Sequence, residues 1–251
     1  MFKTAGKSLI LIILVFSGAS PALSACDDEA APRVNWSNCD FTGMDFTNKD
    51  LSNAVMSDGT FDNADFSGAI LENADFGQAS IKGARFDGAR MSDSRFIAVK
   101  AQAASFKDAV LENSRFSRAA LQKADFSGAK VNKARFYGAN LESATFIGAS
   151  LKKSDFEQGK LDKADFSRSM MTQSVFTNAR LRFAKFIAAD LTGAKFDKSD
   201  CRGTDFSDAQ LTKSSFKEAE IEESIFTGAI LKDTIWSDYK RCRSNSVGVC
   251  E

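Results

Sequence analysis

The sequence predicts an all-β solenoid in which four five-residue units make one coil and about ten coils stack. Three observations carry this reading. Every fifth residue from 41 to 236 is apolar, the residue two places earlier is nearly always Ala, Ser, Thr or Gly, and from Phe66 onward the apolar position alternates between Phe and mostly Leu, Ile, Met or Val. A helix needs apolar spacings of three and four and a strand needs two, so a five-residue rhythm fits neither. It fits a chain that turns through a fixed angle at each unit and points every fifth side chain at a common axis. If like stacks on like, a coil holds an even number of units. Two would leave no room for a Phe and Leu core, whereas four give a square coil of about twenty residues. At ordinary strand spacing the stack is a rod of roughly 48 Å.

The elements follow in order along the chain. Residues 1–25 read as a secretory signal: Lys3 and Lys7, an apolar run from Leu9 to Phe16, then a polar stretch ending in Leu23-Ser24-Ala25. That run is too short to span a membrane as a helix. Residues 26–40 are expected to cap the N-terminal end. In residues 41–236 the unit is plainest in Ala64-Asp65-Phe66-Ser67-Gly68 and Ala124-Asp125-Phe126-Ser127-Gly128, and no Pro interrupts it. The small residue also points inward, at a corner with space for little else. One inward position holds only Ala101, two residues after an unusually large Val99, which is expected to make up the missing volume. Residues 237–251 are expected to fold over the last coil, whose units carry Ile225, Ile230 and Ile235 where a polar residue is usual; Tyr239, Val247 and Val249 would cover that apolar rim.

This repeat resembles the pentapeptide repeat family, whose pattern is a small residue, Asp or Asn, Leu or Phe, then two variable positions. The resemblance covers residues 39–236 and implies a right-handed quadrilateral β-helix. The flanks, Val34-Asn35-Trp36-Ser37-Asn38-Cys39 and the segment from Trp236 to Cys250, resemble the ends of exported bacterial members.

Five cysteines bear on compartment. Cys26 has a candidate disulfide partner in Cys39, and Cys242 has one in Cys250, pairs that an oxidising compartment would favour. Alternatively, Leu23-Ser24-Ala25-Cys26 resembles a lipoprotein box that would place a lipid on Cys26. The first reading gives a periplasmic or secreted protein, the second a membrane-anchored lipoprotein. Cys201 takes an inward position and reads as core.

Composition excludes much chemistry. There is no His, so Ser-His-Asp and Cys-His arrangements and the usual zinc patterns are absent. Asp65, Asp75, Asp125, Asp165 and Asp205 recur at one place in the unit, and such repetition marks turn residues bonding backbone amides rather than acid-base pairs. No catalytic residue, metal site or cofactor is expected. The 33 basic residues balance the 33 acidic ones, which fits neither a nucleic-acid binder nor a strongly acidic decoy.

Candidate sites therefore lie on the outer surface. Under a twenty-residue coil, Arg95, Arg115 and Arg135 stack on one face with Asp75 below and Asp155 above, and Arg118 nearby. Another face gathers Lys160, Lys163, Arg180, Arg182 and Arg202 around an outward Phe183. Each is a candidate docking patch for an anionic polymer or envelope protein. The expected function is a non-enzymatic rod in the bacterial cell envelope, monomeric by preference with a dimer as the alternative. Some cytoplasmic family members mimic DNA and protect a topoisomerase. An export signal and a near-neutral surface count against that role here.

Overall fold

The computed structural model describes residues 26–251; the expected leader, residues 1–25, lies outside the described residues. From Asn35 to Ile235, parallel bridges join residues twenty apart, as in Asp65 to Arg85 and Arg85 to Ser105. The register needs no strands of any length. Each unit offers five amides, and three of them bond to neighbouring coils: Phe66 N–H to the Arg85 carbonyl (2.7 Å), Gly68 N–H to Asp87 (2.9 Å) and Arg85 N–H to Ala64 (2.9 Å). A fourth closes the corner, as Ala69 N–H does on the Phe66 carbonyl at 3.0 Å. The second corner residue after each inward one has positive φ, for example 67° at Gly68, 58° at Asn113 and 60° at Lys133. One left-handed residue at that place defines a type II turn. Val, Ile and Thr never occupy it in the repeats, as their branched side chains would be the most strained there.

The fifth amide, that of the residue just after the inward one, finds no backbone carbonyl anywhere in the repeats. Here the recurring Asp acts. Asp65 Oδ1 accepts the Ser67 N–H at 2.9 Å, and Asp75, Asp125, Asp165 and Asp205 accept the amide two residues on at 2.8–2.9 Å. Hydrogen bonds from the Thr42 hydroxyl and amide hold Asp40 below the usual carboxylate range. For Asp125, partial burial pushes upward, but Ser127 and Lys107 outweigh it and hold the carboxyl low.

The inward positions fill the tube as the alternation predicts. Two Phe columns, ten residues out of phase, stack coil on coil at 4.6–5.2 Å and meet each other edge to face at 5.4–6.1 Å. Edge-to-face and offset pairs suit the ring quadrupoles. Val99 and Ala101 are both fully buried. Small inward positions held by Ser or Thr bond a nearby carbonyl, as Ser94 Oγ does on Met91 at 2.5 Å and Thr204 Oγ1 on Leu181 at 2.8 Å. Cys201 is likewise buried, and burial pushes its thiol up to about 12, so it is inert core.

The ends depart from the sequence reading in two respects. Residues 34–40, expected as part of a cap, already follow the coil register: Trp36 N–H bonds the Val55 carbonyl at 2.7 Å, and Val34 and Trp36 are buried. Trp replaces Phe at this inward position and Cys39 replaces Ala at the next small one, which hid the unit. At the other end the tail does fold back, through antiparallel bridges from Ile230 to Val247 and from Ile235 to Arg241. Its backbone covers the edge, whereas the Tyr239, Val247 and Val249 side chains expected over the rim are themselves more than half exposed, and Ile225 stays 46% exposed. The rim is sealed by hydrogen bonding more than by apolar contact.

Three outcomes test this architecture. Phe126 sits between Phe106 and Phe146 at 4.6 and 4.7 Å, so Phe126→Ala should cost about 3–5 kcal/mol in denaturant unfolding; Val99→Ala should also be clearly destabilising, and a neutral result would refute its compensating role. Deleting residues 237–251 should turn a monomer into oligomers or aggregate in sizing experiments, and a full-length protein already dimeric would argue against the cap.

Candidate functional site

The structure stacks Arg95, Arg115 and Arg135 on consecutive coils, bridged in register between Asp75 and Asp155. Arg95 Nε lies 3.2 Å from Asp75 Oδ1, and Arg135 Nε lies 3.7 Å from Asp155 Oδ2. Arg115, between them, has no carboxylate partner among the described residues. All three are exposed. Arg118 projects from the adjoining corner with φ 59° and leans over Gly138. Tyr137, one column across, donates its hydroxyl to Gln158 at 2.8 Å.

Around the corner the positive surface continues in a way the sequence reading missed. Lys133, Lys152 and Lys153 line a shallow groove with Glu112, Asn113 and Asn132, and none of the three lysines is ion-paired among the described residues. The missing signal is arithmetic. Corner residues two before Arg115, Arg135 and Asp155 belong to the previous unit, so Lys133 and Lys153 read as another column although the turn brings them beside the arginines.

The second candidate patch differs from the expectation. Its members do come together, but as a ladder of alternating charge rather than a free cationic face. Asp162, only 6% exposed, receives Arg182 through Nε and Nη2 at 3.4 and 3.0 Å. Arg180 Nε stands 2.6 Å from Asp162 Oδ2, a close charge contact that is not aligned as a hydrogen bond. One coil on, Asp200 receives Arg202 at 2.8 and 2.6 Å, and Arg202 also reaches Glu220 at 3.2 Å. Hydrogen bonds from Arg202 hold the Asp200 carboxyl below its usual range despite some burial. Donating to Asp162 raises Arg182, and donating to Asp200 raises Arg202. Lys160 and Lys163 make no ion pair among the described residues. Phe183, 58% exposed at φ 59°, leans on Gly203, where any Cβ would stand 2.7 Å from its ring. Intervening acids at 162, 200 and 220 fall in the same columns as the arginines, and pairing each guanidinium with one consumes the charge an anionic partner would need.

At the ends, the Cys26 and Cys39 sulfurs are bonded at 1.94 Å and those of Cys242 and Cys250 at 2.09 Å. A thioether lipid on Cys26 and this disulfide exclude one another, since both use the same sulfur. The disulfides are compatible with an oxidising extracellular compartment. Among the described residues no helix is long and apolar enough to cross a membrane and no cluster of His, Cys, Asp or Glu is arranged to hold a metal.

Residues 79–156 and 149–226 match the family model described as a pentapeptide repeat region, and residues 35–73 and 60–96 match pentapeptide repeats (8 copies). No curated protein matches. Among solved structures, HetL, a pentapeptide repeat protein involved in heterocyst differentiation regulation in the cyanobacterium Nostoc sp. strain PCC 7120, is 24% identical; the alignment covers 84% of this chain and 92% of HetL with a TM-score of 0.61. At that identity it shows the fold. A pentapeptide repeat protein from the Arabidopsis thaliana thylakoid lumen is 30% identical over 41% of this chain and 83% of its own, with a TM-score of 0.29. Full-length QnrB1, a plasmid-mediated fluoroquinolone resistance protein, is 19% identical over 76% and 92%, with a TM-score of 0.37.

The acid-rich ladder gives a pH prediction. Asp200 is depressed in the folded state relative to the unfolded chain. Its stabilisation is therefore complete above about pH 4 and is lost as pH falls through the lower folded value. Thermal unfolding should show a constant Tm from neutral to about pH 5 and a decline below, and the decline should be shallower in Asp200→Asn; an equal decline would remove Asp200 from the account.

Proposed function

Because this chain belongs to the pentapeptide repeat family, we propose that it acts as a non-enzymatic binding or scaffold rod, a right-handed quadrilateral β-helix of about ten coils, exported to the bacterial periplasm or secreted. The observation that carries the binding reading is the Arg95, Arg115, Arg135 column, with Arg115 lacking any acidic partner and Lys133, Lys152 and Lys153 adjoining it. Like charges held at strand spacing repel, and a bound anion relieves that repulsion. The partner is an anionic polymer or an acidic face of an envelope protein. Export rests on the leader pattern of residues 1–25 and is supported by the compatibility of the two disulfides with an oxidising compartment.

DNA mimicry is the competing role. It requires a strongly acidic face, whereas removing residues 1–25 leaves a chain with a charge of only about −2 and a basic stripe along one side. Cell fractionation separates the two readings, and a cytoplasmic location would favour mimicry.

Changing Arg95, Arg115 and Arg135 together to Gln should leave thermal unfolding within about 0.5 kcal/mol per site of the parent. It should abolish salt-sensitive retention on an anionic matrix. Unchanged retention at low salt would return this face to ordinary solvated surface.

A further inference from the structure

We infer that the Arg95, Arg115, Arg135 ladder is a carboxylate-reading site, built to take a linear polycarboxylate whose acidic groups fall at the coil repeat. The inference rests on the docking role proposed for this face and specifies its chemistry.

In units with Asp before the inward residue, that carboxylate accepts the amide two residues on. Arg95, Arg115 and Arg135 occupy the Asp position, so the amides of Ile97, Ser117 and Tyr137 have no acceptor among the described residues. Other units also lack an Asp, but nowhere else do three consecutive coils of one column carry Arg or Lys in its place. Guanidinium and unpaired turn amide thus repeat together, coil after coil.

The same face shows what such a pair holds. Directly below the ladder, Asp75 Oδ1 accepts the Gly77 N–H at 2.8 Å and lies 3.2 Å from Nε of Arg95 on the next coil. One carboxylate oxygen joins a turn amide to the guanidinium one coil further on. Directly above, Asp155 Oδ1 accepts the Glu157 N–H at 3.0 Å while its Oδ2 faces Arg135 at 3.7 Å. Between these two internal carboxylates, one coil step from Asp75 pairs the Ile97 amide with Arg115. The next pairs the Ser117 amide with Arg135. A foreign carboxylate at each would be offered the same two kinds of donor, a turn amide and a guanidinium, beside the Ile97 or Ser117 side chain where Gly77 carries none, at a separation set by strand spacing, about 4.8 Å. Charge-assisted bonds of this kind are short and directional, and guanidinium is better shaped for them than ammonium. Arg118 and the corner lysines add attraction without geometry.

The test uses the full-length mature protein with galacturonic acid, its trimer and polygalacturonate as probes, and with inorganic polyphosphate and neutral dextran as controls. In amide NMR titrations the trimer should shift Ile97 and Ser117, bind at least about tenfold more tightly than the monomer, and leave dextran inert. Arg115→Lys keeps the charge but loses the planar donor pair, and should weaken trimer binding by about tenfold. Arg115→Asp supplies an internal acceptor for the Ser117 amide, should fold as stably as the parent, and should abolish binding. If Arg115→Lys binds as the parent does, if trimer and monomer bind alike, or if shifts fall only on Lys133, Lys152 and Lys153, the carboxylate site is refuted while a merely electrostatic docking face stands. If polyphosphate binds more tightly than polygalacturonate and shifts the same amides, the site reads phosphate and the carboxylate assignment is overturned. Loss of all anion binding selectivity in the parent, with the triple Gln variant unchanged, removes the docking role itself.

Discussion

Everything in this rod depends on the corner between units, where one residue at positive φ gives its own amide to the neighbouring coil and lets the chain turn about a right angle, the next amide closing the corner. Three amides of five then bond between coils, one closes the turn, and one is left over. From that leftover comes the Asp that recurs before the inward residue, and from the left-handed residue comes the preference for Gly, Asn, Asp and unbranched side chains behind it. The five-residue pattern is thus a statement about backbone hydrogen bonds as much as about a core.

The core imposes the complementary constraint. Two Phe columns fill the axis by stacking along it and meeting edge to face across it, which leaves the other two columns for smaller aliphatic residues. Such a stack has no natural end, and the two ends are managed differently. At the N-terminal edge, Asp40, Asp45 and Asp50 carry charge on coil positions whose amides have no backbone acceptor, a use of charge that discourages strand addition. At the C-terminal edge a disulfide-closed tail adds antiparallel pairing over Ile230 and Ile235, while the edge at residues 221–226 stays unpaired. Dissimilar ends oppose head-to-tail filaments, since a charged edge would have to meet an apolar one.

The coil size, the Phe columns, the role of Asp65 and its equivalents and the folding back of the tail were all legible in the sequence, because each is a property of one position repeated many times. What was not legible depends on pairs of positions. Arg182 and Asp162 are twenty residues apart, Arg180 and Asp162 eighteen, and counting basic residues on a face could not see that each guanidinium would meet an acid from the coil beside it. Lys133 and Lys153 went unnoticed because they stand in the unit before the arginine or acid that follows each of them two residues on. Trp36 and Cys39 are conformationally ordinary members of the first coil whose residue types disguised it. Val247 and Val249 stay exposed while Cys242 and Ser246 are the buried side chains of the tail.

The two basic columns show how a repeating scaffold separates structural charge from available charge. Around Asp162 and Asp200 every guanidinium is answered by a carboxylate from this chain, and such mutual neutralisation holds turns in place while offering little to an ion outside. In the other column, acids stand only below and above the arginines, at Asp75 and Asp155, and the coils between repeat the donors without the acceptor. The backbone repeats from coil to coil, so an amide satisfied at one coil marks the acceptor missing at the next, although the side-chain partner varies: Asp75 meets the arginine of the coil above and Asp155 that of the coil below. The end carboxylates therefore describe, in the protein's own atoms, the chemistry and spacing that the intervening coils present to solvent.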